Sequence, residues 1–242
     1  MRSSCTAADF PAIRFIMIRI SLVFFMFENL QGFFESTAGK IAVTAVILVF
    51  FAVILIPSSK EKDKTQGTRP DTKALTISAL LAALALGLGQ LKFFEMPFGG
   101  TVTPFSMLPL ALCGYYLGTR RGVLTGFAVG LMNLIFGPYV IHPLQLLIDY
   151  PFAFGALGLS GIFRNRKNGL RNGYLFGLFA RYLCAVASGI IFFGDYAPAG
   201  FNAVTWSLWY NFTYLAAEGI ITVIIISLPP VKNALEGLKK TL

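Results

Sequence analysis

Residues 142–167 read HPLQLLIDYPFAFGALGLSGIFRNRK, an apolar run interrupted by Gln145, Asp149 and Pro151 and closed by Arg164, Arg166 and Lys167. A hydrocarbon core about 30 Å thick is crossed by roughly 20 helical residues, so the stretch predicts a membrane span over 143–163. Its basic end is expected on the cytoplasmic side, where Lys and Arg in short loops are retained.

The same pattern recurs on either side. Apolar blocks at 74–92, 104–118, 122–136, 173–194 and 203–228 are separated by turns rich in Gly, Pro, Arg and Lys. Basic residues precede the first block (Lys60, Lys62, Lys64, Arg69, Lys73), follow the second (Arg120, Arg121), follow the 143–163 block, and close the chain (Lys232, Lys239, Lys240). The connections 93–103, 137–142 and 195–202 contain neither Lys nor Arg. Six helices from residue 74 onward, with both ends inside, satisfy every loop.

Composition agrees. Of 242 residues 56% are hydrophobic and 13% charged, with a mean hydropathy of +0.71, which excludes a soluble globule. The net charge of +9 would ordinarily raise nucleic acid as a partner, but the basic residues fall between apolar blocks and read as a topology signal instead. Cys5, Cys113 and Cys184 are too few and too scattered for a disulfide framework, and the single histidine, His142, leaves no room for a multi-histidine metal site. No phosphate-binding or hydrolase motif occurs, so energy from ATP would have to come from a partner.

The polar stretch 58–71, SSKEKDKTQGTRPD, marks a linker between an N-terminal hydrophobic unit (1–57) and a six-helix body (72–230) followed by a cytoplasmic tail (231–242). Within the N-terminal unit, 41–57 reads as one helix. The 12–27 block, which carries Arg14 and Arg19, is open between a short span, an interfacial helix and a translated upstream stretch. The expected fold class is therefore an all-α integral membrane protein, six helices plus one or two at the N-terminus.

Small residues gather on the first body helix: Ser78, Ala79, Ala82, Ala83, Ala85 and Gly87. Such a face lets membrane helices approach closely, whether a helix of this chain or of a partner. Ionisable residues inside spans are costly and mark ion pairs or substrate sites. Arg181 and Glu218 both lie about 12–15 Å from the basic end, at about 1.5 Å per residue, and are expected to form a structural ion pair. A second group lies in the outer half: Asp149, Tyr150, Phe193, Trp206, Tyr210 and Asn211. A carboxylate among aromatic rings suits a flat, cationic, hydrogen-bonding ligand. Asp149 could equally cap a helix restarted at Pro151, and Trp206 and Tyr210 could be interfacial belt residues. His142 before Pro143 reads as a helix-start residue or a ligand contact, and Asn133 and Gln145 are expected to bond across helices.

The run His142-Pro143-Leu144-Gln145 to Asp149-Tyr150-Pro151, followed by Gly158-Leu159-Ser160-Gly161, then Arg181-Tyr182, Ser188-Gly189-Ile190-Ile191-Phe192-Phe193-Gly194, Tyr196-Ala197-Pro198, Ser207-Leu208, Tyr210-Asn211 and Tyr214, resembles the thiamine-specific substrate-binding (S) component of energy-coupling factor transporters. The similarity spans about residues 72–228. It implies a six-helix, multi-pass protein of the bacterial cytoplasmic membrane that captures thiamine or a close analogue from outside. Such a subunit catalyses no reaction, uses no cofactor, and works with a transmembrane scaffold subunit and two ATPase subunits. Family binding positions carry over to Asp149, Tyr150, Phe193, Trp206 and Asn211, while the family histidine falls on Ala185, removing a polar contact to the ligand. The face of Ala79, Ala82 and Ala83 would meet the scaffold. The loop 93–103, with Phe94 and Phe98, would be a lid; on its residues alone it could also be a plain connection resting in the interface. Two rivals stand beside this function: a stand-alone, proton-coupled secondary transporter, against which no inverted repeat is evident and titratable residues in the spans are sparse, and a scaffold protein without a ligand.

Overall fold

In a computed structural model of the protein, the described residues are 72–242 together with Ile41 and Ala45. The rest of the N-terminal unit (1–57) and the linker at 58–71 lie outside them. Seven helices follow: α1 (Thr72–Gln90), α2 (Leu108–Leu117), α3 (Thr119–Asn133), α4 (Pro143–Phe163), α5 (Gly169–Phe192), α6 (Ala203–Ser227) and α7 (Pro229–Thr241). Between α1 and α2 a small antiparallel hairpin pairs β1 (Phe94–Glu95) with β2 (Thr101–Val102), Phe94 opposite Val102.

Helices α1, α4, α5 and α6 are each long and apolar enough to cross a membrane. The blocks expected at 104–118 and 122–136 form shorter helices of 10 and 15 residues. Two local features cut them. Phe105 takes a left-handed backbone, with φ 62°, just before α2. Gly118, with φ 93°, ends α2 by returning its N–H to the Gly114 carbonyl at 2.9 Å and starts α3 at once. Helix α2 needs no full membrane length because it lies inside the protein, with Leu110, Ala111 and Cys113 fully buried.

The core is set by backbone contact between helices. On α3, Gly122, Gly126 and Gly130 recur every four residues and face, in turn, Gly158, the Phe154 carbonyl and Gly155, and the Tyr150 carbonyl and Pro151 on α4. Gly114 of α2 closes on the same Gly158. A β-carbon on Gly158 would run into the backbone of Gly122 and Val123, which have no side-chain end to move aside. This stripe of small residues fixes α4 against α3 and so sets the depth of Asp149 and Tyr150. On α1, Ala82 packs partly against the core while Ala79 and Ala83 are exposed.

The expected Arg181–Glu218 ion pair is not formed. Glu218 is 4% exposed and accepts from Thr103 N (3.2 Å), Thr103 Oγ1 (2.7 Å), Ser106 Oγ (3.3 Å) and Met107 N (3.1 Å). These are donors of the segment entering α2, where helix-start N–H groups lack intrahelical partners and favour an anion. Arg181 instead lies 4.1 Å from the centroid of Phe154. Nor do Asn133 and Gln145 bond across helices: Asn133 returns its amide to Val129 O at 3.0 Å, and Gln145 bonds within its own helix and the loop before it.

Residues 231–242, expected as a tail, continue a helix opened by Pro229 and Pro230. Proline at the first helical positions sacrifices only an N–H that has no partner there. Helix α7 is tied to the basic end of the bundle through Tyr116 Oη to Leu235 O (3.1 Å), Lys232 Nζ to Asn168 Oδ1 (3.2 Å), Lys73 Nζ to Thr241 O (2.9 Å), and Lys239 Nζ to Arg164 O.

Gly158→Ala is expected to destabilise the purified protein by about 1–3 kcal/mol through overpacking, whereas Gly87→Ala, with nothing within 4 Å of the added carbon, should melt with the wild type in a detergent thermal scan. Glu218→Gln keeps the shape but turns an amide N–H toward donors; a loss of about 1.5–3 kcal/mol is expected in the same assay.

Candidate functional site

At the end of the bundle opposite the basic connections, a cavity of about 410 Å³ opens between α4, α5, α6, the hairpin and the connection before α4. That volume lies in the range of small-molecule sites, about 300–1,000 Å³.

Helix α4 begins at Pro143, capped by His142, whose Nδ1 accepts from Leu144 N at 3.1 Å. The His142 ring stacks on Phe192 at 5.0 Å. The residue therefore starts the helix and does not line the cavity. Over Ile148–Phe152 the helix widens into a π turn around Pro151, whose ring removes a hydrogen bond and loosens the ladder. In that turn the successive residues Asp149 and Tyr150 both line the cavity. Asp149 accepts from Gln145 Nε2 at 2.7 Å. The Tyr150 hydroxyl accepts from Tyr139 N at 2.9 Å, which leaves its own proton to donate. Asp149 is thus held within a continuous helix, not used as a cap.

The rings that wall the cavity with Tyr150 include two groups. Phe193 stacks against Tyr139 at 6.0 Å and 29° and meets Tyr196 at 6.0 Å. Trp206 lies 5.6 Å from Tyr210. Asn211 is buried, and its amide is consumed inside the protein: Nδ2 donates to Ser207 O (2.9 Å), Ser207 Oγ (3.2 Å) and Ala185 O (3.3 Å), while Oδ1 accepts from Tyr214 Oη (3.0 Å). It lines the cavity but chiefly braces α6 against α5.

The hairpin covers the opening. At its tip Phe98 takes φ 65° and Gly99 φ 92°, a left-handed pair that turns the Phe98 ring onto Tyr196 (5.0 Å) and Tyr210 (6.5 Å). The Tyr210 hydroxyl accepts from Gly100 N at 3.0 Å and donates to Pro97 O. A β-carbon on Gly100 would meet the Tyr210 hydroxyl and have to push that side chain aside. Phe94, by contrast, is 62% exposed and outside the cavity.

The structure thus gathers Asp149, Tyr150, Phe193, Trp206, Asn211 and Phe98 around one cavity and leaves out Phe94 and His142. It adds Tyr139, Tyr196, Gln145 and Arg181. Tyr139 sits in a connection free of Lys and Arg, the one sequence signal that could have pointed to it, and Tyr196 stands in the Tyr196-Ala197-Pro198 stretch that carries the resemblance. The ionisable residues lining the cavity are Lys92 and Glu95, paired at 2.8 Å near the mouth, and Asp149, Arg181 and Glu218. By formal charge the site carries a single excess negative charge, which favours a cation.

The model of the family described as thiamine transporter protein (Thia_YuaJ) matches residues 75–236, a range that contains every residue lining the cavity. The chain is 35% identical over 161 residues to the thiamine transporter ThiT of Bacillus subtilis, covering 61% of this chain and 83% of that protein. To ThiT of Lacticaseibacillus paracasei it is 28% identical over 166 residues, covering 62% and 82%. A solved structure of ThiT from Listeria monocytogenes superposes with a TM-score of 0.54 at 24% identity, covering 66% of this chain and 96% of that one, and so shares the fold. The multi-pass helical body, its cavity and the family match converge, and the chain belongs to the thiamine transporter protein family.

Proposed function

We propose that the protein is the substrate-capture subunit of an ATP-driven vitamin importer of the energy-coupling factor type and binds thiamine or a close analogue from outside the bacterial cytoplasmic membrane. The observation that carries this reading is the Asp149 carboxylate facing an aromatic-walled cavity of about 410 Å³ whose charged lining, Arg181 included, sums to one excess negative charge. Thiamine offers a flat cationic ring for the aromatic faces and the carboxylate, and hydrogen-bonding groups for Tyr150. The curated relatives are themselves named thiamine transporters. Ala185, which also lines the cavity, leaves room where the resemblance places a histidine, so an analogue with a different polar edge fits the same scheme. Phe98 and the hairpin tip act as the lid.

The chain would carry no chemistry of its own. Energy would come from two ATPase subunits acting through a transmembrane scaffold, and the exposed stripe of Ala79, Ala83 and Gly87 on α1 offers that scaffold a close-packing face.

Calorimetric or Trp-fluorescence titration with thiamine should give saturable binding, with Trp206 as the probe. Asp149→Asn should weaken it by about 2 kcal/mol or more, because a charged partner is lost. Failure to bind thiamine, its phosphates or its pyrimidine half would overturn the reading. Ala79→Leu with Ala83→Leu should leave binding intact yet abolish uptake by the reconstituted complex; retained uptake would remove α1 as the scaffold face.

A further inference from the structure

Gln145 is 2% exposed and each polar atom of its side chain is engaged. Oε1 accepts from Ile141 N at 3.2 Å. Nε2 donates one hydrogen to Tyr139 O at 3.1 Å and the other to Asp149 Oδ2 at 2.7 Å. An amide NH₂ has two hydrogens, so these two contacts use its full donor capacity. The bond to Asp149 is the shorter, as expected for a charged acceptor.

The backbone of Tyr139 is gripped from both sides. Its carbonyl goes to Gln145 and its N–H to the Tyr150 hydroxyl at 2.9 Å, while its ring stacks on Phe193. The connection 137–142 is therefore anchored on the same two residues, Asp149 (through Gln145) and Tyr150, that face the cavity. The fit is made possible by spacing: Gln145 and Asp149 are four residues apart on one helix face, and His142 caps the helix so that the preceding turn lies beside Gln145.

We infer that Gln145 is the positioning residue of the Asp149 carboxylate and that its amide makes the connection 137–142, with Tyr139 as its ring, a second wall of the site whose placement depends on Asp149. The inference rests on Asp149 being the ligand-binding carboxylate.

The test is a double-mutant cycle read by thiamine titration. Gln145→Met, unbranched and of similar length, is expected to weaken thiamine binding roughly ten- to a hundredfold, the range of a lost charge-assisted hydrogen bond. In an Asp149→Asn background the same substitution should cost several-fold less, because its effect runs through Asp149. A merely structural role would lower affinity equally in both backgrounds, and that result, or unchanged affinity of Gln145→Met, overturns the inference. Should Gln145→Met not fold, Gln145→Asn keeps a polar amide one methylene short of Asp149 and is expected to lose affinity alike; wild-type affinity there overturns it too. Asp149→Asn alone with wild-type affinity would instead overturn the parent reading.

Discussion

A carboxylate at membrane depth must be met by donors, and this chain solves that requirement twice in opposite ways. Glu218 accepts four hydrogen bonds from the segment entering α2, close to the acceptor capacity of a carboxylate. Saturated in this way, it is structural: it pins the base of the hairpin and the start of α2 onto α6. Asp149 accepts from the Gln145 amide, and it borders the cavity, with Arg181 in the same lining. The difference in satisfaction, more than the difference in position, separates the residue that holds the fold from the one suited to meet a cation.

Asp149 can stand there only because α4 is held rigidly by its neighbours. The glycine stripe of α3 brings backbone against backbone along α4 from Gly158 to Tyr150. Tight packing below allows a loosened π turn above, at Pro151. Without the stripe, a helix weakened by an internal proline would have no reason to keep two successive residues on one cavity.

Much of this was legible in the residues. Loop charges gave the spans and their order, and the acid among aromatics gave Asp149, Tyr150, Phe193 and Trp206 as neighbours. The repeat Gly122, Gly126, Gly130 was equally visible and outweighs the alanines of α1 in packing this chain. The partner of Glu218 was not legible, because depth along a helix says nothing of azimuth and its donors come from more than a hundred positions away. Local backbone decided which ring reaches the cavity: Phe94 sits in a strand whose side chain is exposed, while the left-handed pair at Phe98 and Gly99 turns the second ring inward. His142 was spent on capping, a role its place before Pro143 already suggested.

Both attachments of the hairpin land on α6. Tyr210 holds the tip through neutral hydrogen bonds to Gly100 and Pro97, and Glu218, eight residues or about two turns away, holds the base through two bonds from Thr103 and the start of α2 through two more, from Ser106 and Met107. A neutral hydrogen bond contributes about 0.5–1.5 kcal/mol net and one to a charged group about 1.5–3. Bond for bond the base is therefore the more firmly held end, while the ring contacts of Phe98 on Tyr196 and Tyr210, about 0.5–1.5 kcal/mol each, add to the hold on the tip. Release of the tip from Tyr210 would uncover the aromatic walls, while Glu218 would keep the start of α2 and the core beneath it in place.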